Sequence, residues 1–305
     1  MKTITATGFT WLVVDLKEQA DMDFLQDELK LNLEVLTYAK DKNELARLEY
    51  DKFSEELLII YHAICSECLQ TYQTSPVFYY LSGNQLITIF SEKTYYLLPM
   101  FEKILAKQQD LSILEFVFTT MFLISKAYFP VLEELYKKRD DLSRKLRFKT
   151  SKQSLLALSD LGTSLIYLVS ATKQNTLLFE QMRSQAFYKN LSESELEQLE
   201  DAQIEARQLM EMTNLSSQVV AQLEGTYNNI LNNNLNDTME YLTKLSILLV
   251  IPAIVTGFFG MNVELPKFFI EGKEAWLWII GLSGVLCLTS GAILRIFMKM
   301  GKKQR

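Results

Sequence analysis

The chain of 305 residues carries 31 Lys and Arg against 37 Asp and Glu, a formal net charge of −6. The acidic balance, with no basic patch interleaved with aromatics, argues against nucleic acid as a partner. With 3 Cys and 1 His, a zinc cluster or His-based triad has little to build on, and no phosphate loop, nucleophile elbow or paired-carboxylate site marks an enzyme.

Residues 1–98 mix strand and helix signals and predict the α/β part of a soluble domain. Residues 10–16 are short, apolar and β-branched, which predicts a strand, and residues 21–36 have helical spacing. Residues 46–53 alternate apolar and polar side chains, as a half-buried strand does, and 57–63 read as its hairpin partner. Residues 77–81 and 85–90 flank Ser82-Gly83-Asn84, a hairpin in which Gly83 and Asn84 supply positive φ angles. His62 is expected to be structural. Cys65 and Cys68 have C-x-x-C spacing but no second pair, and are expected to pack on a helix.

Residues 99–190 predict the helical part of the same domain: helices over 100–107, 113–126 and 129 to about 172, with a further helical segment over about 153–188. Pro130 stands where a helix starts, and Lys137 to Asp141 form a solvated charged face. Ser192 and Glu195 have the spacing of a capping box, with Ser192 as N-cap. No proline follows until Pro252, so one helix is expected from Ser192 to about Gly260, on the order of 100 Å long. Its first part, 191–243, is a stalk. A helix of that length must pack against copies of itself or against the helices before it.

Two stretches at the C-terminal end, 245–263 and 275–294, contain no charged residue. A helix needs about 20 apolar residues to cross a hydrocarbon core of about 30 Å, and in lipid such stretches must be helical. The predicted spans are 244–261 and 275–298, joined by an external loop over 262–274 and followed by a basic tail over 299–305. Arg295, Lys299, Lys302, Lys303 and Arg305 place that tail, and with it the N-terminus, on the cytoplasmic side. The loop holds Glu264, Glu271 and Glu274 against Lys267 and Lys273, a slightly acidic mouth suited to cations. Trp276 and Trp278 sit where interface anchors belong.

A seam at three- and four-residue steps runs along the long helix: Asn229, Asn232, Asn236, Met239, Leu242, Ser246, Val250, Ala253 and Gly257, then Asn262. It passes from amides to apolar side chains to small ones and back to an amide. Neutral amide oxygens can solvate a cation without holding it too tightly to leave. Magnesium gives up its waters reluctantly, which suits a ring of carbonyl oxygens around a hydrated ion.

Gly260-Met261-Asn262, placed between two membrane-length stretches, resembles the signature of the CorA family of divalent-cation channels. The resemblance extends in layout over the whole chain, including the hairpin that ends in Leu86-Ile87-Thr88-Ile89. It implies an α+β cytoplasmic domain, a long helical stalk and two C-terminal transmembrane helices, assembled as a homopentamer in a lipid bilayer. It further implies that the first span of each subunit lines the pore, with Asn232, Asn236, Met239, Leu242, Ser246, Val250, Ala253 and Gly257 along it. Gly260, Met261 and Asn262 would form the selectivity filter, where a ring of Asn262 holds hydrated Mg²⁺, with Glu264 in the external loop. Cytoplasmic Mg²⁺ would hold the pore closed, and an ungapped count backwards puts Asp201 near a regulatory carboxylate. Phe259 stands where the family often has tyrosine, keeping the ring without its hydroxyl, and Gly225 stands where some members carry an acid.

The function expected is therefore a Mg²⁺ channel in a bacterial plasma membrane, without organic cofactor. One alternative keeps the fold and changes the ion to Co²⁺, Ni²⁺ or Zn²⁺. Softer ions usually take His or Cys ligands, and the seam has neither. A second alternative is a non-conducting, membrane-anchored coiled-coil scaffold, for which Asn262 would be dispensable.

Overall fold

The computed structural model describes residues 1–18, 21, 37–39, 41, 44–65, 72–108, 110–148, 151–261 and 275–302. These form two compact units, residues 1–227 and 228–305. Among the described residues the first unit holds a six-stranded sheet ordered β1-β2-β6-β5-β4-β3. The strands are β1 (Lys2–Thr5), β2 (Thr10–Asp15), β3 (Arg47–Asp51), β4 (Glu56–Ile64), β5 (Thr74–Ser82) and β6 (Gln85–Phe90). Only β2 and β6 run parallel, with Trp11 opposite Leu86 and Val13 opposite Thr88. The other neighbours are antiparallel. The expected strand at 10–16 and both expected hairpins are present.

The sheet is buried on both faces because both sets of alternating residues are apolar. Trp11, Val13, Ile59, Tyr61, Val77, Tyr79 and Phe90 belong to the larger core cluster. Leu12, Val14, Leu58, Ile60, Phe78, Ile87 and Ile89 belong to a second, where Ala39 joins them. Central strands buried on both sides read as continuous apolar runs, as β4 and β5 do. Edge strand β3 stays half-buried, in line with its alternating sequence.

Helices α1 (Leu98–Lys107), α2 (Ile113–Ala127), α3 (Phe129–Phe148) and α4 (Lys152–Ser184) follow the sheet. They supply Phe101, Phe116, Phe118, Met121, Leu132, Leu165 and Phe179 to the larger core. Tyr61 is hydrogen-bonded to Ser125 at 2.8 Å, and the Tyr128 hydroxyl donates to the backbone oxygen of His62 at 2.9 Å. Buried hydroxyls thus tie the helices to β4. The charged run from Lys137 is solvated as expected, with Lys138 paired to Glu134 at 2.9 Å.

α5 (Glu193–Phe259) is a single helix of 67 residues. Its expected capping box is in place: the Ser192 N–H donates to Glu195 Oε2 at 2.8 Å, and the Glu195 N–H to Ser192 Oγ at 3.2 Å. In residues 193–227 one face is buried through Leu199, Ala202, Ala206, Leu209, Thr213, Ser216 and Val220. α6 (Ala275–Lys302) completes the described chain.

Three expectations need correction, and one strand was missed. The helix expected over 129–172 is two helices, because α3 ends at Phe148 and Ser151 caps α4, its side chain accepting from the Ser154 N–H at 3.1 Å. A serine oxygen that takes a backbone N–H ends one helix and starts another. Cys65 lies after the last residue of β4, not on a helix, and its N–H continues the ladder to the Gln73 oxygen at 3.0 Å. Of the hairpin pair Gly83-Asn84, only Gly83 has a positive φ, 53°. Positive φ at the first central residue alone is the pattern of a II′ turn. β1 was not foreseen: one lysine followed by three β-branched residues is too short a pattern. The helix expected over 21–36 and Cys68 lie outside the described residues.

Candidate ion pathway

Among the described residues, four helical stretches are by length and composition apolar enough to cross a membrane: Ile113–Arg147, Lys152–Ser184, Glu193–Phe259 and Trp276–Ile293. The first two are substantially buried in the core of the first unit, so their apolarity is spent on packing. The apolar stretch of α5 is 6% buried and that of α6 0%. A monomer in water would expose Leu249, Ile254, Phe258, Trp278, Ile280 and Leu288. Such continuous apolar cover belongs in lipid or against other copies.

Within residues 228–305 the expected seam is open along its described residues. Asn232, Asn236, Met239, Leu242, Ser246, Val250, Ala253 and Gly257 are all exposed. At 3.6 residues per turn they share one side of α5. Leu248, Ile251, Pro252, Val255 and Phe259 fall on the opposite side. Ile251, Pro252 and Phe259 are half-buried, and Val255 is 7% exposed. That is the side where α6 touches α5: Cys287 Sγ lies 3.6 Å from the Leu248 oxygen. This contact of α6 thus falls on the back of the first span, away from the seam.

Hydroxyls in the span satisfy themselves on the helix backbone, as an apolar surrounding demands. Ser246 Oγ donates to the Leu242 oxygen at 2.9 Å, and Thr256 Oγ1 to the Pro252 oxygen at 2.9 Å. With its proton turned inward, Ser246 presents oxygen lone pairs along the seam. A Cβ added at Gly257 would meet nothing within 4 Å, so its small size serves no packing inside the described subunit.

The helix ends just before the tripeptide. The Gly260 N–H still donates to the Thr256 oxygen at 2.9 Å, and the Met261 N–H to the Phe258 oxygen at 3.3 Å. A Cβ at Gly260 would stand 3.1 Å from the Thr256 oxygen and 3.6 Å from the Gly257 oxygen. Glycine thus lets the chain tighten as it leaves the helix. Met261 is exposed. Asn262 and Glu264 lie outside the described residues.

Asp201 is exposed on α5 in the first unit. Among the described residues no three His, Cys, Asp or Glu stand close enough together to hold a metal ion, around Asp201 or elsewhere. His62 is buried in β4, where burial pushes its pKa down to about 4 against a small opposing effect from the Glu44 backbone. Such a ring is neutral and part of the core. The contact of Cys287 with Leu248 was not foreseen. Its sequence signal is Pro252, which can give no N–H to the carbonyl four residues earlier.

An α+β core with a long C-terminal helix and two exposed apolar stretches defines a membrane protein of the two-span class. The profile of the family described as CorA-like Mg²⁺ transporter protein matches residues 6–296, and the chain belongs to that family. It is 22% identical over 281 residues to the cobalt/magnesium transport protein CorA of Methanocaldococcus jannaschii, covering 90% of this chain and 87% of that one. The complete structure of the CorA magnesium transporter from that organism superposes with a TM-score of 0.80 at 20% identity, over 97% of this chain and 93% of the other. The ZntB cytoplasmic domain from Vibrio parahaemolyticus matches at TM-score 0.54 and 11% identity, over 77% of this chain and 90% of that one.

Proposed function

We propose that the chain is one subunit of a homopentameric Mg²⁺ channel in a bacterial plasma membrane, with both termini cytoplasmic. The observation that carries this reading is the exposed seam on α5, opposite the side where Cys287 of α6 touches Leu248. Seams of neighbouring subunits facing a common axis would line a pore with Asn232, Asn236, Met239, Leu242, Ser246, Val250, Ala253 and Gly257. Gly260 and Met261 would shape its outer mouth, where Asn262 carbonyl oxygens meet the hydrated ion, and Glu264 would gather cations in the loop. A negative-inside potential favours entry of a divalent ion by roughly 4.6 kcal/mol per 100 mV, twice the single-charge value. Asp201 is the candidate regulatory carboxylate, completed by groups from a neighbouring subunit.

Cobalt is a second cargo for the same pathway. What favours it is the relative from Methanocaldococcus jannaschii, a cobalt/magnesium transport protein. The domain limits go with this reading: cytoplasmic 1–190, stalk 191–243, spans 244–261 and 275–298.

The test is Mg²⁺ uptake into liposomes that hold the purified protein, with Asn262→Ala alongside and Co²⁺ in a parallel series. Rapid uptake that disappears in the variant supports the filter. Equal uptake in both removes Asn262 from that role. Intact oligomers that conduct nothing leave the scaffold reading standing.

A further inference from the structure

We infer that Cys287 is a positioning residue for conduction: its thiol supplies the hydrogen bond that Pro252 denies to the first span. The inference rests on reading α5 as the pore-lining helix.

A proline inside a helix has no N–H to give, and its ring crowds the carbonyl four residues before it. Pro252 lies inside α5, and the carbonyl it leaves without its helical donor is that of Leu248. In hydrocarbon no water is available to replace the lost donor, and an unmet backbone group is costly there. The Cys287 Sγ of α6 stands 3.6 Å from that oxygen, at hydrogen-bonding distance for sulfur. The sulfur and the carbonyl belong to different helices, 39 residues apart, so the bond ties the two spans at the proline. One turn further on, Thr256 Oγ1 reaches both the Pro252 oxygen at 2.9 Å and the Ala253 oxygen at 3.2 Å. The backbone around the proline is thereby held at two levels, once by α6 and once by its own helix.

The tie sits on the face opposite Ser246, Val250, Ala253 and Gly257. A helix can bend at a proline, and α6 governs that bend through Leu248. Any change in it moves the seam residues beyond Pro252, together with Gly260 and Met261. The thiol thus acts on the ion through the backbone and not by touching it.

Pro252→Ala restores the backbone N–H and makes the thiol redundant, so the pair forms a double-mutant cycle. Cys287→Ala in the natural background is expected to slow Mg²⁺ uptake by roughly three- to ten-fold, the scale of one hydrogen bond. In the Pro252→Ala background the same change is expected to have no further effect. An equal loss in both backgrounds would reduce Cys287 to a packing residue and overturn the inference. A second readout is independent of transport. The infrared difference between the natural protein and Cys287→Ala isolates the S–H stretch of this one thiol in the oligomer. A band lowered by hydrogen bonding, which moves to the free-thiol position in Pro252→Ala, supports the tie. A band at the free-thiol position in both proteins overturns it. If no variant conducts Mg²⁺, the channel reading fails and the infrared band alone decides the tie.

Discussion

Ser112 Oγ donates to Glu195 Oε1 at 2.6 Å, and so two capping boxes share one carboxylate. Ser112 caps α2, accepting from the Glu115 N–H at 3.1 Å while its own N–H donates to Glu115 Oε2 at 2.7 Å. Glu195 closes the box of α5 with Ser192. Thr119 and Gln198 make a second rung at 3.2 Å. The start of the long helix is thus fastened to the helix that carries Phe116 and Phe118 into the core.

Ser112→Ala removes a cap and the tie together. It is expected to destabilise the protein by about 1–2 kcal/mol. In a cycle with Glu195→Ala, the two losses should be less than additive, because the second change finds the bond already gone. Thermal unfolding of the detergent-solubilised oligomer measures both. Strict additivity would show that the two boxes act independently.

Gly257 tests the seam from the other side. With nothing within 4 Å of an added Cβ, the first carbon of the side chain in Gly257→Leu meets open space in the described subunit. Expression and thermal stability of the subunit fold should change little. Mg²⁺ uptake should fall to background, because every subunit would add a leucine to the same level of the pore. Normal uptake would place Gly257 away from the pathway.

Gly260→Ala pushes a methyl to 3.1 Å from the Thr256 oxygen, tighter than the chain tolerates without shifting. The shift falls next to Asn262. Uptake is expected to drop by roughly ten-fold, equivalent to about 1.4 kcal/mol, with the soluble core unaffected. A liposome flux assay and a melting curve on the same preparation separate the two effects.

His62 sets a pH dependence of stability. Burial holds its pKa at about 4, below the ordinary 6.5. The unfolded chain therefore binds a proton near pH 6.5 that the folded chain accepts only near 4. The contribution of the neutral ring is complete above 6.5 and is lost as pH falls from 6.5 to 4. Its full size is about 3 kcal/mol. His62→Leu should flatten the unfolding midpoint over that window, and an unchanged slope would remove His62 as its source.

Much of this fold is written in local pattern. β2, the two hairpins, the capping box of α5 and both apolar stretches follow from alternation, turn residues and absence of charge. The seam follows from three- and four-residue steps alone. What escaped depends on contacts or on short signals. The break before Ser151 interrupts an apolar periodicity that continues across it, so only the cap betrays it. Cys65 beside Cys68 suggested a helix, yet the apolar run of β4 extends to Ile64 and carries Cys65 with it. Cys287 finds its partner across two helices, and no local window contains both residues.

The helical stretches Ile113–Arg147 and Lys152–Ser184 are apolar enough for the bilayer by length and composition, yet they pack into the core of the first unit. The strands that receive them precede them in the chain and leave the ribosome first, and domains fold from the N-terminus during synthesis. A nascent sheet thus competes with the translocon for both stretches, whereas the apolar window of α6 is 0% buried among the described residues. Topogenesis in this protein is a matter of timing as much as of hydropathy. A lesion that delays closure of the sheet would divert helices of the first unit into the membrane and be seen as a mis-inserted protein, not as an unfolded one.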